Sequence, residues 1–492
     1  MDFTNFILLT AKWLPAIWFA MFGACVGSLT NVLVYRLPLG LSVVSPPSSC
    51  PCCNTRLTWR ENIPIFGWLL LRGRCRFCKS KISPEYPIVE TIVALMWGGL
   101  YALWFITPDY GTGPWGMPWQ TLKPDWATAG ITQVWPIFLV YLSLLSCLVS
   151  MTLIDARTFT IPLVLPWFAA IFGVLGHVGW AVYVQLTSGQ LESLRNTPFM
   201  WSIPVPPLPG DGGWWWIGAS IGATLGLGVG LVMLRLGWIR QSFADYPQWE
   251  DAQLAQAQLS HPPTVEATAS NANSATTNST TTTSATAPTG QPPAADNPSD
   301  QAPSSPELWI TYPHARREMI KEMAFLAPAA VLGWLGGTLA TNWFGPIAAV
   351  VADGRISQDM SGPVPPLWLM VLAGVLMGYL IGGATVWAVR IGGSLAFGKE
   401  AMGLGDVHLM AAVGACLGWI DPVLAFFLAA FVGVGFVIID RLKPSSADAA
   451  HSRAMPFGPS LAIATALVIV CKPLIEIGLG KLMHAEGPLN LP

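Results

Sequence analysis

Cys50, Cys53, Cys75 and Cys78 form two C-x2-C knuckles, 21 residues apart, in a hydrophilic stretch of an otherwise apolar chain. Two such knuckles supply four thiolates, the ligand set of a tetrahedral structural zinc site with no open position. Redox thiols and an unoccupied set are the alternatives this spacing leaves open. Cys52 lies inside the first knuckle and is not expected to be a ligand. Cys25, Cys147, Cys416 and Cys471 fall in apolar runs, where a cysteine serves as a small packing residue.

Carboxylates within or beside apolar runs are the second group able to do chemistry, because burying them is costly without a purpose. Glu90, Asp155, Asp406 and Asp440 are of this kind. Asp440 has Arg441 and Lys443 beside it and is expected to be an ion-paired helix end, and Glu90 is placed to pair with arginines of the cysteine loop. Asp155 precedes a short polar turn. Asp406 follows Gly403, Leu404 and Gly405, where missing side chains would let backbone or a peptide approach. One such acid alone is as readily a snorkelling helix end. Two within reach of each other share one proton, so one activates water while the other polarises a carbonyl.

These groups must be positioned by membrane-spanning elements. The chain has 492 residues and is 53% hydrophobic, and its 11% charged content is far below the roughly 25% of soluble proteins. Mean hydropathy is +0.51. The fold class expected is an all-α polytopic membrane protein with about ten transmembrane helices and a small cytoplasmic zinc-binding loop. The spans predicted are 13–35, 87–106, 134–154, 163–184, 214–238, 324–345, 367–390, 407–419, 422–440 and 458–478. The net charge of −2 and the lack of a basic, aromatic-interleaved tract argue against nucleic acid as a partner.

Orientation follows from the basic residues. The loop 36–86 carries Arg36, Arg56, Arg60, Arg72, Arg74, Arg76, Lys79 and Lys81, which places it in the cytoplasm and the N-terminus outside. Alternation then puts 155–161, 239–323, 391–406 and 441–457 inside, each with its own basic residues. The first apolar run has only Lys12 ahead of it, so it is predicted to be a retained span, not a signal peptide. The organisation expected is a first span (1–35), the four-cysteine zinc loop (36–86), spans carrying Asp155 (87–251), a cytoplasmic linker with a basic stretch (252–323), and spans carrying the G-x-G-D sequence (324–492). Residues 252–308 are dominated by Thr, Ser, Ala, Pro and Asn and are predicted to be a disordered tether. A faint echo flanks that linker: Gly218–Leu236 and Gly374–Ile391 are both small-residue-rich and end in Arg-x-Gly, which close helix packing explains as well as duplication does.

These residues fall in an order that resembles the bacterial prepilin peptidases, which are also leader-peptide N-methyltransferases. The likeness runs through Gly23, Gly27-Ser28, Asn31-Val32, Arg36-Leu37-Pro38, the paired knuckles, Glu61-Asn62-Ile63-Pro64, Tyr86-Pro87 and Glu90. It resumes at Ile154-Asp155, Ile161-Pro162, Gly403-Leu404-Gly405-Asp406 and Pro456-Phe457-Gly458-Pro459. The resemblance implies an intramembrane aspartic peptidase of the bacterial inner membrane, with Asp155 and Asp406 as its catalytic pair. It would cut type IV prepilins or type II secretion pseudopilins after a Gly, then methylate the new N-terminus with S-adenosylmethionine. It also implies zinc on the four cysteines and a part in methyl transfer for Gly73 and Arg74. Two features depart from the pattern: His408 stands where the family usually has Lys, and about two spans plus the linker are inserted before the span preceding Asp406. The rival readings are a transporter with acidic proton sites and a catalytically silent zinc-loop scaffold of a pilus or secretion assembly.

Overall fold

An apolar chain has to satisfy its backbone within each segment, and helices do so without water. The computed structural model describes residues 3–107, 122–189, 212–245, 248–249, 252, 314–345, 363, 365–398, 400–442 and 456–484. Among them, strand-like pairing is confined to two isolated bridges, Ser49–Arg56 and Arg74–Lys81. The α-helices are α1 (Phe3–Arg36), α2 (Phe66–Leu70), α3 (Glu85–Tyr101), α4 (Ile131–Thr158), α5 (Val164–Ser188), α6 (Gly212–Arg235), α7 (Ala315–Phe344), α8 (Leu367–Phe397), α9 (Leu404–Leu417), α10 (Ile420–Leu442) and α11 (Gly458–Leu482).

Among the described residues, nine of these helices are long and apolar enough to cross a membrane. The span expected at 407–419, eighth in order, is the shorter helix α9, of 14 residues, which starts earlier, at Leu404. At 1.5 Å per residue it is about 21 Å long, short of a hydrocarbon layer of roughly 30 Å. From Asp406 to Leu417 every residue except His408 is buried, so this stretch is apolar because protein surrounds it. Asp406 consequently stands inside the first turn, not ahead of it.

α4 is the hub, with 72% of its most apolar window buried, and it packs against α1, α3, α5, α9 and α11. Elsewhere the helices are joined in antiparallel pairs whose backbones nearly touch. In α6–α7 a β-carbon on Gly218 would stand 2.2 Å from the Gly336 carbonyl oxygen, one on Gly222 2.1 Å from that of Leu332, and one on Gly226 2.3 Å from that of Pro328. In α8–α9 a β-carbon on Gly378 would stand 2.0 Å from the Gly414 carbonyl, and one on Gly382 2.3 Å from that of Met410. Only glycine permits this approach, which replaces hydrophobic driving force with van der Waals contact. Both arms of the small-residue echo are thus one side of such a hairpin.

The chain divides into two compact units. The first comprises Met1–Ser242, Pro313–Pro444 and Ala454–Pro492 and carries every helix named above; the second comprises Phe243–Tyr312 and Ser445–Arg453. Apart from Ala252, the tether 252–308 lies outside the described residues, as do the Asp440 and Arg441 side chains and Lys443.

Candidate active site

Asp155 lies in the last turn of α4 and is buried. The helix stops at Thr158 because Phe159 turns left-handed (φ 53°) and gives its N–H to the Asp155 carbonyl, 2.9 Å away. The Asp155 carboxylate accepts the backbone N–H of Gly458, the first residue of α11. A β-carbon on Gly458 would stand 2.4 Å from Asp155 Oδ2. The carboxylate therefore occupies the space another side chain would need, against the positive end of a helix.

Asp406 is the third residue of α9, whose N-cap is Gly403. Its side chain reaches back to the Gly403 N–H, as an acidic residue does at that position of a capping box. Gly405 serves a different contact, since a β-carbon there would stand 3.0 Å from Ile161 Cβ. Ile161 Cδ1 also lies 3.4 Å from the β-carbon position of Gly458. One isoleucine side chain thus touches both the glycine beside Asp406 and the glycine beneath Asp155, and the two buried carboxylates act on each other electrostatically. Each is held by a helix N-terminus, and Ile161 packs beside the glycine next to each of them.

The loop before Gly403 is fastened along α8. Gly398 ends that helix left-handed (φ 68°), the Ala401 N–H donates to Ser394 Oγ at 3.1 Å, and a β-carbon on Gly393 would stand 2.6 Å from Ala401 Cβ. Arg390, almost wholly buried, donates to Glu400 Oε1 at 2.5 Å and to the Met402 carbonyl.

The cysteine loop is built from two equivalent turns. Cys50 donates its N–H to Thr55 and Cys75 to Ser80; Asn54 and Lys79, each one residue past a second cysteine, both have positive φ (51° and 59°). The folding of both turns brings the four sulfurs within 4.8 Å of one another, with Cys50–Cys78 at 3.7 Å and Cys53–Cys75 at 3.9 Å. A tetrahedron of zinc–sulfur bonds of about 2.3 Å has sulfurs about 3.8 Å apart, so the set fits such an ion. Backbone N–H groups of Cys53 and Cys52 hold the Cys50 thiol down to about 6, and the Ser80 hydroxyl lowers Cys78, whereas burial and the neighbouring Cys78 and Cys50 thiols push Cys75 up; thiolates are the ligating form. Cys52 is exposed and outside the set.

Glu90 does not take the arginine partner expected of it. It accepts the Ile65 N–H at 2.6 Å and the Ser28 hydroxyl, tying the cysteine loop to α1 and α3. Gly73 needs its glycine for a positive φ (65°) and because a β-carbon would stand 2.8 Å from the Trp68 ring; Arg74 is exposed beside the second knuckle. His408 packs against Trp167, ring centroids 6.3 Å apart.

Two stretches of the chain match known families. Residues 21–104 match the bacterial peptidase A24 N-terminal domain, and residues 336–438 match the type IV leader peptidase family. A prepilin leader peptidase/N-methyltransferase of Pectobacterium carotovorum subsp. carotovorum is 32% identical over 219 residues, covering 39% of this chain and 67% of that protein. The chain belongs to this family. The Klebsiella pneumoniae member is 34% identical over 37% of this chain and 69% of its own length. That of Myxococcus xanthus is 48% identical over 81 residues, covering 16% of this chain and 24% of its own length. No solved structure matches the chain. The cysteine loop and Asp406 fall within the matched family ranges; Asp155, α5, α6 and the first part of α7 fall between them.

In the sequence, Ile161 and Gly458 stand within motifs that give no sign of what each touches, and Arg390 reads only as the end of a small-residue span. Glu322 and Glu400 carry no motif of their own. The available signal is Arg390 itself, a cation in an apolar run that must find a buried anion.

Proposed function

We propose that the chain is an intramembrane aspartic endopeptidase that removes leader peptides from type IV prepilins or type II secretion pseudopilins, with Asp155 and Asp406 as the reacting pair. The observation that carries this is that the two carboxylates are buried, each on a helix N-terminus, and near enough to act on each other electrostatically. The ionised carboxylate takes a proton from water as its oxygen attacks the scissile carbonyl, and the protonated one hydrogen-bonds the carbonyl oxygen. The tetrahedral species then collapses, the C–N bond breaks, and the proton passes to the leaving amine. The basic loops favour a site at the cytoplasmic face with the N-terminus outside.

The four cysteines would hold zinc as a closed structural site. S-adenosylmethionine, when bound, supplies an electrophilic methyl group to the new N-terminal amine. The guanidinium of Arg74, exposed on the loop, suits the donor's carboxylate, while Gly73 shapes the turn that presents it.

The test is cleavage of a prepilin by membranes containing the protein. Wild type should cut and both Asp155→Asn and Asp406→Asn should not, while inserting normally; cleavage by either variant within a few-fold of wild type removes the assignment.

A further inference from the structure

Glu322 lies on α7, in the α6–α7 hairpin, and is 4% exposed. Its carboxylate accepts from Arg390 Nε (2.9 Å), from Trp387 Nε1 (2.7 Å) and from Ser242 Oγ (2.8 Å), and pairs with Arg390 Nη2 at 2.9 Å. Trp387, Arg390 and Ser394 follow one face of α8. The far side of the Arg390 guanidinium holds Glu400 and the Met402 carbonyl, and Gly403, the next residue, caps the helix that carries Asp406.

We infer that Glu322 is a positioning residue for the peptidase reaction: it fixes Arg390, and Arg390 fixes the loop that sets Asp406 at the head of α9. This rests on the peptidase reading above, and it gives the inserted helices a part in the reaction. A guanidinium is planar and forked, so anchoring one edge dictates where the other points. An uncharged contact at 322 would leave the Arg390 fork free to turn, and the loop would follow. Small displacements of a reacting group lower turnover steeply.

The experiment uses the full-length protein in nanodiscs and a prepilin substrate. In Glu322→Gln, kcat per folded enzyme should fall about tenfold while KM stays within about twofold, since the substrate contacts are untouched. Glu322→Asp, which keeps the charge, should recover most of the loss. Amide hydrogen exchange should quicken across 400–405 and stay unchanged across 411–417. Arg390→Lys keeps the cation but loses the fork, so it should repeat the Gln result if Glu322→Gln does not fold. Unchanged kcat and unchanged exchange in a folded Glu322→Gln protein overturn the inference, as does failure of both variants to fold, which would make the network a folding requirement only. A wild type that does not cleave counts against the peptidase reading; the exchange experiment still decides the positioning role.

Discussion

The two glycine-stitched hairpins, α6–α7 and α8–α9, use one device for opposite ends. In both, carbonyl oxygens sit where β-carbons would be, in continuous antiparallel register. α9 is then enclosed on nearly every side, whereas only 28% and 17% of the most apolar windows of α6 and α7 are buried. Enclosure lets α8–α9 hold a carboxylate in a defined place, since a buried helix has nowhere to shift in a close-packed interior. The outer hairpin has no such constraint from its own packing. It reaches the reaction through a single charged contact, Glu322 to Arg390.

Breaking each stitch separates the two cases. Gly414→Leu puts a side chain 1.9 Å from the Gly378 carbonyl; it should cost about 3 kcal/mol or more and leave almost no folded enzyme in a thermal-shift assay. The matching Gly218→Leu change in the outer hairpin should leave an inserted protein with activity lowered about tenfold, through loss of the Glu322 contact. Equal effects would mean that enclosure is not what distinguishes the hairpins. Between these two in size, Gly458→Val displaces the Asp155 carboxylate and should lower kcat about a hundredfold with little change in melting temperature.

The connections sharpen the comparison further. Replacing Cys75 and Cys78 with Ser should remove one zinc per chain by metal analysis and quicken amide exchange across 48–82, with cleavage retained in part because Asp155 and Asp406 lie on other elements. Deleting 252–308, the link between α6 and α7, should leave cleavage within about threefold, since closure entropy changes slowly with loop length. A shortened protein that inserts but does not cut would make that link a part of the site.

Helix class, most span positions and the cysteine set are legible in the sequence because composition and local spacing encode them. The enclosure of α9 is not legible there, because hydropathy responds equally to lipid and to apolar protein, and only the packing of α4, α5 and α8 around it distinguishes the two. Asp155 and Asp406 can be paired by resemblance, yet the isoleucine packed beside the glycine next to each cannot be seen. Ile161, Gly405 and Gly458 meet across three elements far apart in the chain, and nothing local in their neighbourhoods announces it. Glu322 is invisible for the same reason: its meaning depends on a cation 68 positions away.

At the mouth of the outer hairpin, Trp214 near the start of α6 stacks on Phe344 at the end of α7, ring centroids 4.2 Å apart. The polypeptide leaves the bundle and rejoins it within the width of a ring. In genetic terms such a pair is a cassette: one in-frame event can add or excise it, and a short bridge closes the gap without reversing any later crossing. An excision would strip Arg390 of its buried anion and Trp387 of its acceptor, so the lineage history of this hairpin should be recorded at position 390, where a guanidinium without its carboxylate has no reason to persist.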